Sequence, residues 1–99
     1  SLMPKPITDS NRLGDIAEFY AVTWLWDQGY EVFLNPGSTG VIDIVAWKDG
    51  EVKLIDVKSR GNTKYSRGRA RTPLQKKLGV QDIFYNAETR KIHWVNHNE

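Results

Sequence analysis

The sequence contains no cysteine and only two histidines among its 99 residues. The absence of cysteine excludes disulfide scaffolds, zinc and iron–sulfur sites that need thiolate ligands, and thiol catalysis. No apolar run approaches the ~20 residues that span a bilayer, and the N-terminus lacks the charged-then-apolar pattern of a secretory signal. We therefore expect an intracellular, cytoplasmic protein that does not associate with membranes.

The length and composition indicate one globular domain. A chain of 99 residues is too short for two independent cores, and 39% hydrophobic residues are too many for a disordered chain. Ser1 and Leu2 precede Met3 and are expected to be residues left by cloning. The predicted domain therefore comprises residues 3–99.

The net charge of +2 conceals a strong asymmetry. The first 50 residues contain three basic and seven acidic side chains, whereas residues 51–99 contain eleven basic and five acidic ones. Within the second half lies a basic run without any acid, which consists of Lys58, Arg60, Lys64, Arg67, Arg69, Arg71, Lys76 and Lys77. This run is explained either by a solvated, partly flexible loop or by a surface for a polyanionic partner, and the charges alone do not decide between them.

The first predicted element is a helix over residues 10–28, with Ser10 as N-cap and Gly29 in a left-handed conformation after its end. A second apolar strip lies on the far side of this helix and predicts a partner subunit there; it comprises Phe19, Val22 and Trp26. The predicted core-facing stripe comprises Leu13, Ile16, Ala17, Tyr20, Ala21 and Trp24.

Five strands and a second helix are predicted to follow. Three strands cover residues 30–34, 41–47 and 51–58, and the Asp49-Gly50 pair predicts a tight hairpin between the last two. The segment Thr72-Pro73-Leu74-Gln75 has the spacing of a capping box, which assigns Gln75 to the cap and not to a functional site. The helix is expected to end near Gly79, before strands at 80–85 and 91–95. The predicted order is α-β-β-β-α-β-β, a mixed α/β domain.

Two acids interrupt otherwise apolar strands, Asp43 in Val-Ile-Asp-Ile-Val and Asp56 in Leu-Ile-Asp-Val-Lys. Runs this hydrophobic are typical of strands covered on both faces, where an uncompensated carboxylate is costly. If Asp49 and Gly50 form the turn, Asp43 lies opposite Asp56 with Cβ atoms ~5 Å apart. Two carboxylates so placed repel unless a proton or cation lies between them, and an all-oxygen site favours Mg²⁺.

Lys58 lies two residues after Asp56 and therefore shares its face, about 6.6 Å further along the strand. This separation is expected to be too long for a direct ion pair but to suit a cation that reaches the same reaction centre. Two acids and a lysine at a sheet surface suit phosphodiester hydrolysis, in which a metal polarises the phosphoryl oxygen and lysine offsets developing charge.

These residues resemble the PD-(D/E)xK nucleases, which have the restriction-endonuclease-like fold, and most closely the archaeal-type Holliday junction resolvases and small phage nucleases. The similar segments are Gly14-Asp15-Ile16-Ala17-Glu18, Gly29-Tyr30, residues 40–46 and Ile55-Asp56-Val57-Lys58. Ile42 replaces the proline of the motif, and the second acid is Asp where the resolvases usually have Glu. The resemblance implies an α-β-β-β-α-β core, with a mixed sheet flanked by helices.

The resemblance also implies the roles of individual residues. Asp43 and Asp56 would bind the metal together with the backbone carbonyl of Val57, Glu18 would hold a metal-bound water or a second ion, and Lys58 would be the catalytic lysine. Simpler roles stay open: turn-proximal acids for Asp43 and Asp56, a strand-end lysine extending into solvent for Lys58, and a helix-dipole acid for Glu18.

The leading functional prediction is an Mg²⁺-dependent DNA endonuclease, with Mn²⁺ as a substitute, no small-molecule cofactor and a homodimeric assembly. Structure specificity like that of a Holliday junction resolvase is implied by the resemblance, as is the host cytoplasm if the gene belongs to a phage. The alternatives are an inactive nucleic-acid-binding module and a nuclease subunit targeted by another protein. The predicted DNA contacts are Arg60, Lys64, Arg67, Arg69, Arg71, Lys76 and Lys77.

Overall fold

The computed structural model describes residues 9–37, 40–60 and 70–97. Within them, a five-stranded sheet has the order β1-β2-β3-β4-β5. The β3–β4 pair is parallel and the other three pairs are antiparallel, so the sheet is mixed. The strands are β1 (Glu31–Leu34), β2 (Ile44–Lys48), β3 (Glu51–Arg60), β4 (Gln81–Asn86) and β5 (Lys91–Trp94).

Helix α1 (Ser10–Asp27) covers one face of this sheet. The predicted range is confirmed to within one residue, but the predicted N-cap is wrong. Asp9 is the cap, and its carboxylate accepts hydrogen bonds from the backbone N–H groups of Asn11 and Arg12. Gly29 has φ +90°, which confirms the left-handed position predicted after the helix.

The core lies between α1 and the sheet. The buried residues of α1 pack against Ile44, Ile55 and Ile83 from the three central strands. Val22 is only 7% exposed and belongs to this core, so its assignment to an outer strip is wrong. Phe19 and Trp26, the other members of that strip, are 68% and 59% exposed.

The hairpin between β2 and β3 has the predicted register. Trp47 is paired with Val52 and Val45 with Leu54, and the turn residues Asp49 and Gly50 have φ values of 53° and 78°. Two successive residues with positive φ are typical of the type I′ turn that Asp-Gly favours. The predicted start of β2 is wrong, because the strand begins three residues later than expected, at Ile44.

Helix α2 (Pro73–Leu78) belongs to the connection between the parallel strands β3 and β4. Its capping box is confirmed. The Thr72 hydroxyl accepts from the Gln75 N–H, and the Gln75 side chain accepts from the Thr72 N–H. Gly79 ends the helix with φ +74°, where the predicted helix also ends.

The β3 side chains alternate between the two faces of the sheet. Ile55 is in the core beneath α1, so Asp56 and Lys58 project from the opposite face, where Gln75 of α2 contacts Asp56. None of the helices in the described ranges combines the length and the apolar composition needed to cross a membrane.

Candidate active site

The structure brings Asp43 and Asp56 into contact. Asp43 lies immediately before β2, where its N–H donates to the Ile55 carbonyl at 2.9 Å. Its Oδ2 accepts a 2.7 Å hydrogen bond from the Val57 N–H, and the Asp43 and Asp56 carboxyl groups hydrogen-bond to each other. A contact between two carboxyl groups without a cation requires a proton on one of them.

The surroundings of the two acids determine which one keeps the proton. Burial, reinforced by the hydrogen bond to Asp56, raises the pKa of Asp43 to about 7. Burial also opposes ionisation of Asp56, but hydrogen bonds from Asp43, Lys58 and Gln75 outweigh it and lower the Asp56 pKa below its ordinary value. Below neutral pH, Asp43 is therefore the proton donor of the pair and Asp56 the anion.

Lys58 makes a direct ion pair with the second acid. Its Nζ lies 2.7 Å from Asp56 Oδ2, so the expectation that the two groups are too far apart for an ion pair is wrong. The two residues are separated along the strand, but the long Lys58 side chain folds back toward Asp56 and closes this distance. The ion pair places the ammonium beside the carboxyl pair.

Gln75 also belongs to this site, although the sequence predicted only a role in the capping box. Its Oε1 accepts from the Thr72 N–H at 3.0 Å, while its Nε2 donates to Asp56 Oδ2 at 3.2 Å and to the Val41 carbonyl at 3.0 Å. The side chain is buried and uses both ends of its amide. Gln75 therefore holds α2, the segment before β2 and the Asp56 carboxylate together.

Glu18 lines a cleft of about 450 Å³ together with Asp43 and Val57. Burial raises the pKa of Glu18, and the nearby charges of Asp15 and Asp56 raise it further. No three His, Asp or Glu side chains in the described ranges approach closely enough to form a ready cation cluster. Glu18 is thus electrostatically coupled to the acid pair, without completing a three-acid cluster.

The donor atoms of the site fit a hard divalent cation. The Asp43 and Asp56 carboxyl groups are in contact, and the cleft beside them is lined by Glu18 and Val57. Carboxylate and carbonyl oxygens without nitrogen or sulfur donors suit Mg²⁺ or Mn²⁺ better than softer metals. Replacement of the proton between the two acids by a cation would also relieve their repulsion.

The predicted DNA contacts fall into three groups. Arg60 ends β3, and its Nε is buried without a hydrogen-bond partner among the described residues. Arg71 is half-buried, and its guanidinium donates to the Val80 carbonyl at 3.0 Å. Lys76 and Lys77 are exposed in the last turn of α2. The third group lies outside the described residues and consists of Lys64, Arg67 and Arg69.

Comparisons with known proteins relate the chain to a nuclease family. A family model for archaeal Holliday junction resolvases matches residues 9–69. No curated protein matches the chain. The bacterial homing endonuclease I-Ssp6803I has a similar structure, with a TM-score of 0.67 and 21% identity over 88% of this chain and 68% of that chain. This similarity confirms the predicted restriction-endonuclease-like α/β fold.

Proposed function

Since the chain belongs to the archaeal Holliday junction resolvase family, we propose that it is a metal-dependent endonuclease that hydrolyses DNA phosphodiester bonds. The observation that carries this proposal is the contact between the Asp43 and Asp56 carboxyl groups beside the Lys58 ammonium. We propose branched DNA as the substrate, because the family model that matches the chain is one of Holliday junction resolvases.

Asp43 and Asp56 would hold the divalent cation, which we propose to be Mg²⁺, with Mn²⁺ as a substitute. The backbone carbonyl of Val57 and the Glu18 carboxylate would supply further oxygen ligands, directly or through water. A divalent cation bound there supplies Lewis-acid chemistry to a phosphodiester. The raised pKa of Asp43 means that cation binding has to displace a proton, so the affinity should increase as the pH rises through about 7.

Lys58 and Gln75 would prepare this site for the reaction. The Lys58 ammonium is the positive side chain closest to the acid pair in the described ranges, and it would stabilise negative charge that develops on the phosphate. Gln75 fixes the orientation of Asp56 through a hydrogen bond to Oδ2. The contact with Gln75 therefore preorganises the Asp56 carboxylate before substrate arrives.

The basic side chains that follow the site would bind the DNA backbone. Phosphate contacts give affinity with little sequence information, which suits an enzyme that recognises the shape of DNA. We propose that the whole predicted set contributes, with Lys76 and Lys77 as its exposed members on α2. The set is Arg60, Lys64, Arg67, Arg69, Arg71, Lys76 and Lys77.

We further propose that residues 3–99 form a single nuclease domain that acts as a homodimer in the cytoplasm, or in the host cytoplasm for a phage protein. A symmetric dimer places two active sites on one branched substrate. Phe19 and Trp26 are candidate interface residues because both are large, apolar and exposed on α1. Replacing both with Asp should give a monomer in analytical ultracentrifugation, whereas unchanged sedimentation would exclude this surface.

The proposed activity can be tested with Mg²⁺ or Mn²⁺ and four DNA substrates: a four-way junction, a flap, a linear duplex and a single strand. We expect cleavage of the junction that stops in EDTA. Asp43→Asn is the matched control, because its amide can still accept from Val57 N–H and donate to Asp56 but cannot bind a cation as a carboxylate does. It should bind the junction without cutting it.

The other outcomes identify the alternatives. Junction binding by the wild type without cleavage in either metal would indicate an inactive binding module. Cleavage that requires a second protein would indicate a targeted subunit. Equal cleavage of junction and linear duplex would contradict the proposed preference for branched DNA while leaving the nuclease activity in place.

A further inference from the structure

A third acid, Asp82, lies beside the proposed active site on β4. The parallel register aligns its Cα with that of Asp56. Residues aligned across neighbouring strands share a face, and Ile83, the next residue, is in the core beneath α1. Asp82 therefore projects from the same face as Asp56 and Lys58.

Asp82 is only 4% exposed, and its Oδ1 has no hydrogen-bond partner among the described residues. A buried carboxylate oxygen without a donor is rare in proteins and needs a physical explanation. The backbone of Asp82 is satisfied, because its N–H donates to His97 Nε2 at 3.1 Å and its carbonyl accepts from the Val95 N–H at 2.9 Å. The unsatisfied atom is therefore the carboxylate oxygen Oδ1.

Among the neighbouring cations, Lys58 interacts most strongly with the Asp82 carboxylate. Burial raises the pKa of Asp82, and among neighbouring charges Lys58 opposes this rise most strongly, ahead of His97 and Arg71. The Lys58 side chain folds back toward Asp56, and Asp82 is aligned with Asp56 on the adjacent strand. One ammonium group thus has two acids on the same sheet face.

The ion pair between Lys58 and Asp56 conflicts with the proposed role of Asp56. The Lys58 ammonium lies 2.7 Å from Asp56 Oδ2, and a divalent cation on the same carboxylate would repel it at short range. Another anion on this face would allow Lys58 to leave Asp56 and stay in the site. Asp82 offers a buried oxygen for this purpose.

We propose that Asp82 is a positioning residue that receives the Lys58 ammonium when a divalent cation binds Asp56. The inference rests on the proposed function, since it assumes that Asp56 is a cation ligand. Asp82 then acts on the site through Lys58 and is not itself a ligand of the divalent cation. Asp82 therefore favours cation binding by keeping Lys58 away from Asp56 and still beside the reaction centre.

The test is a double-mutant cycle on Mn²⁺ affinity, measured by calorimetry on the full chain without DNA. The variants are Asp82→Asn, Lys58→Met and the two combined. We expect Asp82→Asn to weaken Mn²⁺ binding on the order of tenfold when Lys58 is present, because Lys58 then competes for Asp56. In the Lys58→Met background the same change should alter affinity by less than about twofold.

Equal losses of affinity in both backgrounds would overturn the inference, since Asp82 would then act directly on the cation or on the fold. No loss in the wild-type background would overturn it as well. Asp82→Ser provides a second variant if Asp82→Asn lowers the melting temperature. A wild-type protein that binds no Mn²⁺ would refute the proposed function and this inference together. If the wild type binds Mn²⁺ and cuts DNA, but Asp82→Asn weakens Mn²⁺ binding equally in both backgrounds, only the inference is refuted.

Discussion

The pairing of a protonated Asp43 with an ionised Asp56 predicts an unusual dependence of stability on pH. Asp43 has its pKa raised from 3.8 to about 7 by burial and by its hydrogen bond to Asp56. The folded state therefore holds a proton between pH 4 and 7 that the unfolded state has released. Stability from this group is complete below pH 4 and decreases as the pH rises through 7.

The structure bounds the size of the effect. A change in pKa from 3.8 to about 7 corresponds to about 4 kcal/mol for a fully buried group. Asp43 is only half-buried at the edge of the cleft, so solvent screening should reduce this to about 1–2 kcal/mol. Asp43→Asn keeps both hydrogen bonds and removes the titration. Without divalent cations, the variant should match the wild type at about pH 4, become the more stable of the two as the pH rises, and exceed the wild type by about 1–2 kcal/mol at pH 8.

Urea denaturation in EDTA, followed by the fluorescence of the four tryptophans, measures this difference. Glu18 and Asp82 also have raised pKa values, so the informative quantity is the difference between wild type and Asp43→Asn at each pH. Asp56→Asn is the matched control. In the wild type, contacts with Asp43, Lys58 and Gln75 lower the Asp56 pKa, so the ionised carboxylate stabilises the fold above its ordinary pKa. Loss of this carboxylate in Asp56→Asn should therefore destabilise the protein at pH 8. A stability difference for Asp43→Asn that is the same at pH 4 and pH 8 would refute the assignment of the proton to Asp43.

Three further predictions concern chemistry, positioning and DNA binding. Lys58→Met should reduce single-turnover cleavage on the order of 10² or more while DNA affinity in Ca²⁺ stays within a few-fold of wild type; a parallel loss of both would contradict a catalytic role. Gln75→Ala should lower both stability and cleavage, whereas Thr72→Ala should cost about 1 kcal/mol of stability through the cap alone and spare cleavage, so equal cleavage by the two variants would exclude Gln75 from the site. Replacing the exposed α2 cations Lys76 and Lys77 by Ala should reduce the slope of log K against log salt by about 0.9 for each phosphate that the variant no longer binds, and an unchanged slope in filter binding would remove them from the interface.

The parts of the structure that local rules determine could be predicted from the sequence. Asp49-Gly50 specifies a type I′ turn, and this turn sets the register that aligns β2 with β3. The alternation of side chains along β3 then places Asp56 and Lys58 on one face. The contact between Asp43 and Asp56 follows from these two rules, even though β2 begins only at Ile44.

The rest depends on packing between distant segments. The side-chain period of α1 predicts an apolar face but not how far the helix rotates toward the sheet, and this rotation buries Val22 while Phe19 stays exposed. Asp82 carries the same signal as the two site acids, a charge within an apolar strand, but its significance depends on the parallel pairing of β3 with β4. β3 and β4 are joined by a long connection that contains α2, and the length of such a connection does not determine which residues pair. A two-residue hairpin, in contrast, sets the register of its strands.

Gln75 shows why a structural and a functional interpretation of one side chain do not exclude each other. A capping box uses only the acceptor of the glutamine amide, so the two N–H bonds of Nε2 stay available. Glu at this position would cap equally well but would present a second negative oxygen to Asp56. Because Gln75 ties α2 to Asp56, the helix backbone that carries Lys76 and Lys77 has a fixed position relative to the acid pair. Phosphates bound by those lysines would therefore be held in a defined position relative to the carboxylates proposed to carry out the chemistry.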